Sequence, residues 1–242
     1  MKYLKGVLFY PSISMFMLIV NLIGFSPSYF LKPIMDSPEL PIKTHIHAIL
    51  FTFWFILFFV QAMLANYGRL KWHQRLGKLG GVLALAMLFS GFQIIFYRTL
   101  EFDGSKESLQ NTALQLCGNF VLLVLFAICT GLGIKYRNNP NFHKRFMLLA
   151  CITMMPQSLG RIGKIPSENL ISFVPNEVLF GLGGMLFFIG ILWGHDLIRS
   201  KRIHPVSGFG GPLIMVMIIL GAGLFPNLEI VQNFIIWLNE TW

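Results

Sequence analysis

Charge is scarce in this sequence: 12% of its 242 residues are Asp, Glu, Lys or Arg, against about 25% in a soluble domain. So few charges cannot clothe a water-facing surface. Cysteine is scarcer still. Cys117, Cys129 and Cys151 each stand alone inside an apolar run, with no Cys-x-x-Cys pair. That excludes a disulfide frame, a thiol redox motif and covalent c-type haem attachment, and leaves them as small buried hydrophobes. Also missing are a Walker loop, Gly-x-Gly-x-x-Gly, Gly-x-Ser-x-Gly and His-Glu-x-x-His, so none of the chemistry those motifs organise is expected. The last apolar run holds no lysine, which removes a retinal Schiff base from its usual place.

What the chain has in abundance is apolar length. Residues of apolar type make up 55% of it, gathered into runs near the roughly 20 residues that a spanning helix needs. Seven spans are expected, at about 7–25, 46–66, 78–97, 110–134, 146–163, 176–195 and 209–226. The predicted fold is all-α: a polytopic integral membrane protein, one transmembrane domain over 1–242. The first run follows Lys2 and Lys5 as a signal peptide would. It is too long for a typical signal core, and Gly24-Phe25-Ser26-Pro27 is a poor cleavage site, so it reads as a retained helix. Trp237 and Trp242 mark 227–242 as an interfacial tail.

The excess of basic residues, 19 against 10 acidic, has an orientation in it. With the N-terminus inside and seven crossings, thirteen Lys and Arg fall in cytoplasmic segments: Lys2, Lys5, Arg69, Lys71, Arg75, Lys78, Lys135, Arg137, Lys144, Arg145, Arg199, Lys201 and Arg202. Nine of the ten acidic residues fall on the other side; Asp196 does not. This is the positive-inside pattern, and it places the C-terminus outside. It also accounts for the +9 charge without nucleic acid, which is not expected as a partner because no basic, aromatic-interleaved surface exists for it.

An internal echo runs through the cytoplasmic ends. Trp72-His73-Gln74-Arg75 opens the third span, Phe142-His143-Lys144-Arg145 the fifth, and Ile203-His204-Pro205 precedes the seventh. The spacing predicts a repeated helical hairpin (spans 2–3, 4–5 and 6–7) with span 1 added in front. His45-x-His47 with Trp54 and Gln61, His73-Gln-Arg-Leu-Gly77, His143-Lys-Arg-Phe-Met147 and His204-Pro205 together resemble a group of bacterial membrane proteins without a settled activity, over about 45–211. The resemblance implies the bacterial inner membrane. A fainter likeness runs to b-type cytochromes and ferric-reductase-like proteins, which also carry histidines near helix ends.

Polar groups inside membrane spans mark candidate sites. The inner layer holds His73, His143, His195, His204 and Asp196, with Gln61 slightly deeper. Neutral imidazoles from different helices can ligate haem b or a transition metal, His73 and His143 being the best axial pair. Equally, histidines beside Lys and Arg can contact lipid phosphates or cap carbonyls. The outer layer holds Asn21, His45, His47, Gln93, Arg98, Gln115, Asn119, Gln157, Arg161, Asn176 and Glu177. His45 and His47 leave a regular helix roughly 200° apart; in an extended mouth they could chelate a metal with Glu177. Arg161 is a candidate partner for a haem propionate or another anion.

Glycines at 77, 80, 81, 181, 184, 190 and 194 suit close helix packing, and Pro156 and Pro212 suit kinks. These observations lead to one expected function, metal or haem b binding in membrane redox or cofactor handling. Two alternatives stand beside it: an outward-facing pocket that binds or moves a small molecule or lipid, and an accessory subunit facing another membrane protein.

Overall fold

The computed structural model describes residues 8–32, 39–165, 170–171 and 175–242. Lys2 and Lys5, used above for orientation, lie outside them. Among the described residues there are eight α-helices: α1 (Phe9–Phe25), α2 (Ile42–Asn66), α3 (Leu70–Thr99), α4 (Lys106–Lys135), α5 (Pro140–Gly163), α6 (Asn176–Ser200), α7 (Pro205–Ile219) and α8 (Glu229–Thr241). Wider π-turns continue α1 through Phe30 and α7 through Leu224. The helices outrun the expected spans at most ends. Hydropathy sees only the apolar stretch, whereas a helix persists through flanking polar residues until a cap or turn stops it. Pro140 and Pro205 start α5 and α7, each preceded by a side-chain cap, from Asn139 and His204. Gly68 and Gly104 take positive φ where the chain turns into α3 and α4.

Six helices are long and apolar enough to cross a membrane: α1 with its π-turn, α2, α3, α4, α6, and α7 with its continuation. The seventh expected span, within α5, falls short of that measure. Its position explains why. The helix packs against α4, α6, α1 and α7, and Leu148 through Ile152 are fully buried. A helix ringed by protein needs no apolar outer face, so it can carry Arg145, Gln157 and Arg161. Peripheral helices show the opposite. Along α3, Leu79, Val82, Leu85 and Phe89 form one stripe, exposed by 63%, 67%, 69% and 73%, where a helix in water would be polar.

Some of the expected glycine contacts form. A Cβ on Gly184 would meet Leu159 at 2.6 Å, and one on Gly80 would meet Leu57 at 3.1 Å. Gly81, Gly190 and Gly194 face open space instead. The tightest crossings lie elsewhere, at Gly24 against the Ser158 backbone and Gly163 against Asn176. The three cysteines are free and buried. Helix α8 sets Ile235 and Leu238 against the bundle and leaves Ile230, Phe234 and Trp237 exposed; Asn239 Nδ2 donates to Thr99 O at 3.0 Å, tying it to the end of α3.

Candidate functional site

Helices α2–α3, α4–α5 and α6–α7 are joined by short turns, and each turn delivers a histidine to the same end of the bundle. In the first two hairpins the histidine reaches back to the helix it has just left. His73 Nδ1 lies 3.2 Å from Gln61 O, and His143 Nδ1 lies 2.8 Å from Gly133 O. A carbonyl can only accept, so both Nδ1 atoms carry a proton, and in the neutral form of each ring the lone pair is on Nε2. The Gly133 carbonyl is open to this contact because the Arg137 N–H turns to Ile134 O. The two rings, from helices that are not packing neighbours, meet with centroids 6.0 Å apart and nearly perpendicular planes. Neither Nε2 makes a hydrogen bond to a described residue. Close by, Gln61 Oε1 is buried with no partner among the described residues.

The third histidine behaves differently. His204 Nδ1 accepts from Val206 N at 3.2 Å, so it caps α7 and is occupied. Burial, then the nearby Arg145, hold His204 below the usual imidazole range, which keeps Nδ1 free of a proton for that role. Closure of this hairpin passes to Asp196, whose carboxylate accepts from His204 N at 3.2 Å and from Ser207 Oγ at 2.6 Å. The same carboxylate is gripped by Arg145, through Nε at 3.1 Å and through Nη2. Arg145 Nη1 donates to Asn141 O at 2.8 Å. Both partners are buried, so α5, α6 and α7 are locked by one satisfied ion pair. His195 is not part of it. Its Nδ1 stands 3.6 Å from Asp196 Oδ1, beyond hydrogen-bond length, and its ring stacks on Phe9 with centroids 3.9 Å apart.

At the other end the expected outer layer comes together in part. Asn21 Nδ2 donates to Ser158 Oγ at 2.9 Å, joining α1 to α5. Gln157 Nε2 donates to Asn119 Oδ1 at 2.5 Å, joining α5 to α4. Arg161 Nη1 donates to Gln157 O at 2.9 Å, and its guanidinium sits 4.3 Å from the centre of the Phe25 ring. The metal set does not gather. Because α2 already begins at Ile42, His45 and His47 sit on regular helix, not in an extended mouth. His45 Nδ1 meets Tyr29 Oη at 3.2 Å and His47 Nδ1 meets Ser90 Oγ at 3.5 Å, while Glu177 faces Lys164 at 3.5 Å. Among the described residues no three His, Cys, Asp or Glu side chains gather to hold a metal ion. Arg161 is also too far along α5 to meet a group at His143, roughly 27 Å at 1.5 Å per residue.

Outside this layer a polar cleft of about 390 Å³ opens between the end of α3 and the start of α4, lined by residues that include Arg98, Asp103, Glu107, Thr112 and Gln115. Ser105 N donates to Asp103 Oδ1 at 2.9 Å and, with the nearby Ser105 and Ser108 hydroxyls, holds the Asp103 carboxyl below the usual range. A crevice of about 10 Å³ lined by Arg98, Thr112, Gln115 and Asn119 lies beside it.

Sequence reasoning missed the Arg145–Asp196 lock. The signal was Asp196 itself, the lone acid among the thirteen basic residues that the expected orientation puts on one side. Comparison with protein-family models, with curated proteins and with solved structures returns no match, so the chemistry of these two ends is the guide to function.

Proposed function

We propose that this chain is an integral membrane protein of the bacterial inner membrane, with seven spans, its N-terminus in the cytoplasm and its C-terminus outside. In this reading it holds one b-type haem between His73 and His143, near the cytoplasmic face, for membrane redox or cofactor handling. The seventh span is α5, enclosed by its neighbours. The observation that carries the site is the pair of imidazoles fixed by backbone carbonyls, each with Nε2 unspent. Anchoring Nδ1–H on a carbonyl is how metal-bound histidines are held and made basic.

The two rings lie with centres 6.0 Å apart, near enough for both to reach one bound group. His73 and His143 would be the residues that hold a haem, since a haem asks for only one or two ligands from the protein. A bare zinc ion needs three or four protein ligands, and no third is gathered among the described residues. The surroundings are also basic, with Arg75, Lys78, Lys135 and Arg137 near the same end, a setting that suits propionates better than a free dication. Bound there, the haem supplies one-electron chemistry, and the chain supplies two pinned ligands.

Purification with a Soret band and stoichiometric iron, both lost in H143A and in H73A, is the expected result. A colourless, iron-free protein that takes up no haemin would remove the haem reading. Orientation is checked separately: tags before Met1 and after Trp242 should report opposite sides of the membrane, and the same side for both would undo the seven-span topology.

A further inference from the structure

Helix α5 carries an arginine near each end, and the two are folded alike. Arg145 sends Nη1 to the carbonyl four residues earlier, Asn141 O at 2.8 Å, and presents Nε and Nη2 side by side. Arg161 does the same with Gln157 O at 2.9 Å. At Arg145 the Nε–Nη2 edge holds the carboxylate of Asp196. At Arg161 that edge makes no hydrogen bond or ion pair with any described residue.

A parallel pair of guanidinium N–H groups matches the two oxygens of a carboxylate. We propose that Arg161 is a binding site for the carboxylate of a small molecule that enters from the outer end of the bundle. The guanidinium is already positioned. One face lies against Phe25, the Nη1 corner is tied to its own helix, and Gln157 is held in turn by Asn119. None of these contacts neutralises the charge. Among the described residues no carboxylate pairs with this half-buried cation, a costly state that an anionic ligand would relieve. Towards α4, Asn119 ends a small crevice lined also by Ile95 and Leu116, which shares Arg98, Thr112 and Gln115 with the 390 Å³ cleft, whose mouth carries Glu101, Asp103 and Glu107. The site lies at the far end of α5 from His143, so it does not depend on the haem reading.

The test uses the full chain purified in detergent, melted against acetate, succinate, citrate and benzoate at millimolar concentration, with inorganic phosphate beside them. At least one carboxylate should raise the melting temperature saturably. R161Q should abolish the shift. R161K, which keeps the charge and loses the fork, should bind about tenfold more weakly or worse. Without ligand, R161Q should melt close to the parent and keep any Soret band. Stabilisation by phosphate alone, by no anion in the series, or equally in R161Q would each overturn the proposal. So would a large loss of unliganded stability in R161Q, because the fork would then be filled by the chain itself.

Discussion

The two ends of the bundle use the same residue types and finish them differently. At the end where the three hairpins turn, Asp196 accepts from Arg145, Ser207 and the His204 N–H, and the lock it forms is complete. At the opposite end, amides and hydroxyls pair across helices, yet the Nε–Nη2 edge of Arg161 has no partner among the described residues. A closed polar network rigidifies the place it occupies; an open one leaves binding capacity behind. Polarity alone would have ranked the two arginines together. Their partners separate them.

That contrast can be broken most forcefully at the closed end. D196A strands the Arg145 guanidinium in the interior and should cost about 3–5 kcal/mol, read as a large fall in melting temperature or as failure to accumulate. The paired change R145M/D196L, which removes both charges, should recover most of that loss. If the double variant were no better than D196A, the lock would owe its strength to Ser207 and the His204 amide instead.

A smaller effect is expected where α1 crosses α5. G24A drives a methyl into the Ser158 backbone, and about 1–3 kcal/mol should be lost as the helices part. The same melt would show it, together with a weakened Asn21–Ser158 bond. An unchanged melt would mean that α1 can slide, and that the outer end is loosely built as well as incompletely paired. Smaller again, in haem-free protein H143A removes one hydrogen bond to Gly133 O, worth about 1 kcal/mol. H73A, whose contact is longer, should cost less. The smallest effect belongs to the open end: R161Q without ligand should leave the melt nearly where it was. A loss comparable to that of D196A would erase the difference between the two ends.

Much of the architecture was legible in the sequence because apolar run length and helix length answer to the same physics. The repeat of hairpins was legible too, through His73 and His143, although what those histidines do was not. Their Nδ1–carbonyl contacts depend on how each turn folds the second helix over the first, and no residue pattern records that. His204 looked like a third copy, but Asp196 takes over the closing bond, so the echo is one of position more than of role. The metal set at His45, His47 and Glu177 assumed a frayed helix start, and helix from Ile42 onward sends the two rings to different neighbours. Depth was the other gap. All seven apolar runs read alike as spans, and the lower apolarity of α5 was the sign that protein, not lipid, surrounds it.

The centre of the bundle is therefore made by its fifth helix in order of synthesis. Helices α1 to α4 leave the ribosome before the element that α1 and α4 both pack against, so Asn21 and Gly24 wait without Ser158. Until Pro140–Gly163 has emerged, these segments can form their own backbone bonds but cannot acquire their final arrangement. Nascent chains halted before that point should remain open to protease between helices, and those halted after it should abruptly resist.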